Sequence, residues 1–399
     1  MTLSLYASNV IPIYPLHLPV LFMVDLGSVL FSIAGIAAWL VPSTLVTTRL
    51  YLWPNSPRPS HTHWLKYMIL ALGLISMLIS LKNILALGAG AEGATFLARA
   101  RNAGVDAQNS NAGGGSGLPG FSLGSYIPEL TIFAAVMFFI ERRDRIAWCM
   151  TAVALGIAIL TTGRVNLLQL FLGLTCVHLM KSGKTRFTTA LRFIRVPFLC
   201  FMGLYVGLIF TNKDTSTIKG GISGIALYFV VSYIIGPVAA LDQVWEQHGL
   251  FLEQTNHTMK FFLGVMAKAH LIVYTPPPTY DQFVAVPFPA NVYTGYKYFF
   301  VDYGWTGVVV AVCIIGFFHT LLYRKAKDGN SELGLFCFAM SMFPLVMFIF
   351  DDLYSAPGTD FIILTFGSLY LTVRPLRFLP QSAPAPKLRL LPSAIRREV

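Results

Sequence analysis

The chain has 399 residues, of which 55% are hydrophobic and only 12% charged. Its mean hydropathy is +0.65. Soluble domains carry about 25% charged residues, and a soluble chain of this composition would expose large apolar patches. The net charge of +11 invites a nucleic-acid reading, but the basic residues sit in clusters beside apolar runs, so nucleic acid is excluded as a partner.

Runs of roughly 20 apolar residues predict membrane-crossing helices. They lack the alternation of barrel strands. The spans are expected near 18–41, 65–87, 123–140, 146–162, 164–180, 191–210, 298–322, 333–350 and 358–374, with 222–241 ambiguous. The expected fold is all-α: one polytopic transmembrane bundle over residues 1–399, with about 9–11 spans. Residues 1–17 lack the basic start and small-residue cleavage site of a signal peptide. The five cysteines, Cys149, Cys176, Cys200, Cys313 and Cys337, lie in apolar runs and read as small core hydrophobes.

Charge then orients the spans. Arg49, Arg58 and Lys66 follow the first. Arg142, Arg143 and Arg145 fill the loop after the third, and Lys181, Lys184, Arg186, Arg192 and Arg195 follow the fifth. Arg324, Lys325 and Lys327 follow 298–322, and six more basic residues lie in the cytoplasmic tail, 375–399, and at its edge. These make twenty of the 29 Lys and Arg. The positive-inside rule puts them in the cytoplasm. The other face receives an outer loop at 88–122, a turn at 162–164, a large loop region at 211–297 and a short segment at 351–357. If 222–241 crossed, the next span would start on the wrong side. Either 222–241 re-enters or lies in-plane, which its Gly220, Gly221, Gly224, Gly236 and Pro237 favour, or 260–275 crosses as well.

Four outer stretches hold unusual residues. FLARARNAGVDAQNSN carries Arg99 and Arg101 on the face that disfavours them, followed by the flexible linker NAGGGSGLPG at 111–120. In TTGRVNLLQLFLGL, Arg164 opens an apolar helix at its N-terminus. The helix dipole disfavours a cation there, so an anion contact competes with snorkelling to lipid phosphate. PFPANVYTGYKYFFVDYGWTG gathers Asn291, Tyr293, Tyr296, Lys297, Asp302 and Tyr303. An interfacial aromatic belt accounts for the tyrosines, but not for Asp302, an acid in the first turns of a span. Lys297 is five residues from it and would pair only loosely. The fourth is DDLYSAPGTD, where Asp351 and Asp352 read as a solvated helix end or a divalent-cation contact. GAGAEG at 88–93 lacks the strand a dinucleotide site needs. Asn256-His257-Thr258 fits a glycosylation sequon, and His61 and His63 lack companion ligands.

Three of these stretches resemble a known family. TTGRVNLLQLFLGL, GISGIALYFVVSYIIGPVAALDQ and NVYTGYKYFFVDYGWTGVVV, in this order and spacing, are similar to segments of bacterial oligosaccharide repeat-unit polymerases, also called O-antigen or capsular polysaccharide polymerases. The likeness covers roughly residues 160–320; Lys297 departs from the arginine expected in many relatives, which keeps the charge but loses the bidentate fork. The resemblance implies a GT-C-like, multi-pass transferase of a bacterial inner membrane with a large periplasmic loop. Its partners would be the lipid-linked oligosaccharide donor and acceptor and a chain-length regulator. It would use undecaprenyl diphosphate carriers, no nucleotide sugar and no cofactor. In that chemistry Arg164 and Arg101, with Lys297 and Arg99, would meet the departing diphosphate. Asp302 would take the acceptor proton, with Asp242 or one of His248, His257 and His270 as fallback. Asn291, Tyr293, Tyr296 and Tyr303 would hold sugars. An O-antigen ligase and a lipid-linked oligosaccharide flippase remain alternatives.

Overall fold

The computed structural model describes residues 16–42, 46, 61–88, 123–141, 144–160, 164–182, 236–248, 256–275, 284–285, 289–290, 293–328 and 332–354. These form helices α1 (Leu18–Trp39), α2 (His61–Gly88), α3 (Leu123–Glu141), α4 (Arg145–Leu160), α5 (Arg164–Ser182), α6 (Gly236–His248), α7 (Lys260–Lys268), α8 (Tyr296–Asp328) and α9 (Glu332–Met347). Two-residue strands β1 (Val284–Ala285) and β2 (Pro289–Ala290) pair antiparallel between α7 and α8.

The helix starts follow local chemistry. Pro19 opens α1, where its missing N–H costs nothing. Asp144 precedes α4 and accepts a 3.0 Å bond from the Ala147 amide, filling one of the four orphan donors of that end. Helix α7 is terminated by His270, whose φ of 57 is left-handed.

Among the described residues, two helices are long and apolar enough to cross a membrane, Leu18–Trp39 and Tyr296–Lys327, each with a peak mean hydropathy of 2.1. Only 33% of each apolar window is buried, whereas the core helix of a soluble domain hides most of its surface. Outward-facing side chains include Phe22, Val29, Ile33 and Ile36 on α1 and Val310, Ile314 and Phe318 on α8, all apolar. Of the other expected spans, 65–87 falls within the 28-residue α2, those at 123–140, 146–162, 164–180 and 333–350 correspond to helices of 16–19 residues, and 191–210 and 358–374 lie outside the described residues, as does 222–235 of the ambiguous stretch. Its last residues, 236–241, begin α6 instead and are buried. The second candidate crossing, 260–275, is overturned: α7 has nine residues, about 14 Å of helix, and a bilayer core is about 30 Å thick.

Among the described residues the two largest of three apolar clusters hold the body. One gathers α3, α4, α5 and α9 around Ile132, Phe138, Met150, Leu170 and Met340. The other joins α1, α6 and α8 around Val20, Met23, Leu241, Phe300 and Val312. Helices α1 and α8 come close because their contact is built from small residues: a Cβ at Gly316 would stand 2.5 Å from the Phe31 carbonyl oxygen, and one at Gly35 2.9 Å from Thr320 Oγ1.

The helix ends sort into two levels. Arg324 Nη1 donates to the Val41 carbonyl at 2.8 Å and to that of Ala38, holding the end of α1 to the end of α8. Lys181 reaches the Ile140 carbonyl. Lys66 pairs with Glu141 at 2.6 Å, both about nine-tenths buried. Ala326, Met180 and Ile140 pack into one core, so these ends share a level. Cations therefore sit where backbone carbonyls are orphaned, which their charge and the helix dipole favour. The opposite level holds the starts of α1, α5 and α8.

Candidate functional site

At that opposite level α8 is bent. Gly304 has φ 64 and ψ −152, backbone that is essentially confined to glycine. The bend is tight: a Cβ at Gly307 would lie 2.3 Å from the Phe299 carbonyl oxygen. It separates a short leg, 296–303, from the long apolar limb beyond. The leg carries four of the residues singled out in the sequence, Tyr296, Lys297, Asp302 and Tyr303. Helix α6 covers the bend, with Trp245 packed on Phe300 at 5.2 Å and on Trp305 at 6.1 Å between ring centroids.

Lys297 does not pair with Asp302. Its ammonium lies over Tyr293 at 3.8 Å and over Tyr298 at 5.3 Å from the ring centroids. Lys260, the first residue of α7, reaches the same Tyr298 ring at 5.4 Å. The His257 ring stacks on Tyr298 at 4.9 Å with an 18° tilt. Tyr298, absent from the residues expected from sequence, is thus the platform on which two lysines and a histidine meet. Ring quadrupoles favour each ammonium, but two like charges around one ring still repel.

Asp302 is engaged as a structural acceptor. Its Oδ1 accepts from the His257 amide at 3.0 Å, and its Oδ2 from the Thr258 amide at 2.7 Å and hydroxyl at 2.8 Å. Asn256 Oδ1 in turn accepts from the Met259 amide and the Tyr303 hydroxyl, both at 3.2 Å. Tyr274 donates to the Asn256 carbonyl at 3.0 Å, and burial together with the Asp302 charge pushes its hydroxyl up to about 12. The sequon-like Asn-His-Thr triplet is therefore a clamp. It bolts the start of α7 to the short leg of α8 and delivers His257 and Lys260 to Tyr298.

The tyrosines divide. Tyr293 is buried beneath Lys297. Tyr303 is exposed and bonded to Asn256. Tyr296 turns inward: a Cβ at Gly27 would meet its hydroxyl at 2.6 Å, and it packs edge-on to Phe348 at 5.0 Å. It lines a cavity of about 290 Å³ with Gly27, Ser28, Ser32 and Phe348, between α1 and α8.

Asp242 is 0% exposed and is occupied by a partner that the sequence did not single out. The His17 amide donates to Oδ1 at 3.0 Å, and its ring Nδ1 lies 2.8 Å from Oδ2. The other ring nitrogen is 3.3 Å from Glu246. The bond to Asp242, then the charge of Asp242 and lastly that of Glu246 raise the His17 pKa above its ordinary value. The cluster fastens α6 to the first turn of α1. Asp25, inside α1, was also passed over, although the reasoning that picked Asp302 applies to any acid in an apolar span.

Arg164 is the first residue of α5, at the level of the bent leg. Arg99, Arg101 and Asn291 lie outside the described residues, as do the side chains of Arg164 and His248. Asp351 and Asp352 are not a solvated helix end. Asp352 is 3% exposed, accepts from the Tyr354 amide at 3.0 Å and donates its own amide to Asp351 Oδ1 at 2.8 Å. Among the described residues no group of three His, Cys, Asp or Glu is arranged to hold a metal ion. No family model, curated protein or solved structure matches the chain.

Proposed function

We propose that this chain is a polytopic, GT-C-like glycosyltransferase that joins undecaprenyl-diphosphate-linked oligosaccharide repeat units at the periplasmic face of a bacterial inner membrane. The observation that carries the reading is the convergence of Lys297, Lys260 and His257 on Tyr298, at the helix-end level where α5 begins with Arg164. A lipid diphosphate is dianionic or more, and it becomes the leaving group when an acceptor hydroxyl attacks the anomeric carbon. The new C–O bond forms as the bond to the diphosphate oxygen breaks. Fixed cations lower the barrier by meeting charge where it grows. Aromatic faces beside those cations suit the apolar faces of sugar rings. Asp302 retains the role of proton acceptor only if a hydroxyl reaches a lone pair left free by its three donors. As it stands, its bonds support a positioning role.

The test is purified protein in nanodiscs with a defined lipid-linked repeat unit. A ladder of products is expected, shortened or lost in Arg164→Ala and Lys297→Gln and retained in Lys297→Arg. In cells lacking the chromosomal copy, lipopolysaccharide capped with one repeat unit supports the polymerase. Uncapped lipopolysaccharide overturns it in favour of a ligase or a flippase.

A further inference from the structure

We infer that α7 is an in-plane docking helix whose outer face lies in the headgroup region of the bilayer. The helix is two-sided. Phe261 and Gly264 are buried against the protein. Phe262, Val265 and Met266 point outward, with Met259 before the helix and Leu271 after it also exposed; Phe262 is 55% exposed. Lys268 is its last residue, while Lys260 at its start lies over the Tyr298 ring. A short helix with an apolar outer face matches a surface that is apolar inside.

The depth of α7 follows from what holds it. Its leading residues are bonded to Asp302, two positions before the bend at Gly304. From Trp305 to Arg324 the long limb of α8 has 20 residues, about 30 Å of helix, which equals the hydrocarbon thickness of a bilayer. With Arg324 at one boundary, Asp302 stands at the other. Trp245, Trp305 and Tyr303 gather at that same level, where amphipathic rings prefer to sit. The clamp therefore presents an apolar helix face at the depth where lipid begins. Being far too short to cross, α7 covers that face by lying along the surface. The inference needs only the crossing by α1 and α8, not the proposed transferase activity.

The test is a nitroxide scan of the full chain in liposomes containing anionic lipid, with the five native cysteines replaced by alanine. Single cysteines are placed at Phe262, Val265 and Met266, at Phe318 as a span position, and at Ser182 as a water-exposed one. Labels at 262, 265 and 266 are expected to collide with oxygen nearly as often as at 318, and to lose the collisions with a water-soluble nickel chelate that Ser182 keeps. Frequent nickel collisions at 262 and 266, with 318 still in lipid, would overturn the inference while leaving the membrane reading intact. Shielding from both reagents with spin–spin broadening would overturn it in favour of a second copy of the chain. A water-accessible label at 318 would overturn the membrane placement itself. Because the labels report without any transferase assay, loss of polymer formation is read separately.

Discussion

Replacing Asp302 with asparagine should loosen α7 before it affects anything else. The carboxylate accepts two amide N–H groups and one hydroxyl. An amide side chain keeps one oxygen and turns an NH2 toward the remaining donors, so at least one charge-assisted bond is lost and a donor faces a donor. Bonds to charged acceptors contribute about 1.5–3 kcal/mol each. Partial solvent exposure lowers that, and a net cost of about 2 kcal/mol corresponds to roughly 30-fold more frequent opening. Hydrogen–deuterium exchange of residues 258–268 in nanodiscs reads this directly, since locally opened segments exchange in proportion to their open population. Thr258→Ala keeps the amide bond and removes the hydroxyl, which contacts Asp302, Asn256 and Tyr303, and about 1 kcal/mol should raise exchange about fivefold. Thr258→Ser should restore it. Unchanged exchange in Asp302→Asn would refute the clamp. If that variant also failed to make polymer while Thr258→Ala remained active, Asp302 would be acting on substrate.

Other perturbations address the frame. Gly304→Ala meets no atom within 4 Å, so its cost is purely backbone strain, about 1–3 kcal/mol, seen as a lower midpoint in detergent denaturation; an unchanged midpoint would mean the bend is not built as described. His17 has a raised pKa through Asp242 and Glu246, so its pairing stabilises fully below the unfolded value near 6.5 and is lost as pH rises through the higher folded value. The thermal midpoint should fall across that window in the wild type, and His17→Gln should abolish this component. Lys66→Met removes the cation 2.6 Å from the nine-tenths buried Glu141, and breaking such a pair should cost about 3–5 kcal/mol. The double variant Lys66→Met, Glu141→Leu should recover most of the loss in chemical denaturation, and failure to recover would show that the pair is not the relevant contact.

Much of the frame was legible because it depends on composition and period. The starts of α1, α5 and α9 fall within a residue of the expected spans, since a lipid-facing helix needs an uninterrupted apolar run and a polar break at each end. Gly304 was legible only as part of an Asp-aromatic-Gly turn; that it bends a helix required the backbone angles. Lys297 shows why the site was harder. Five residues from Asp302 in sequence, it appeared to have one charged neighbour, yet the short leg turns it onto Tyr293 and Tyr298.

The sequence by itself determined that this chain has helices apolar enough to cross a bilayer, that its basic residues gather by helix ends, and that an acid and a cluster of tyrosines lie where α8 begins. These are properties of runs and periods, which a single strand of residues carries. Only the tertiary structure decided which groups meet. His17 reaches Asp242 across 225 positions, and His257 and Thr258 reach Asp302 across 45 and 44. Such pairings are fixed by helix packing and by one glycine's left-handed backbone, neither of which leaves a local pattern. What looked like an isolated acid in a span became a bolt that holds the start of α7 to α8.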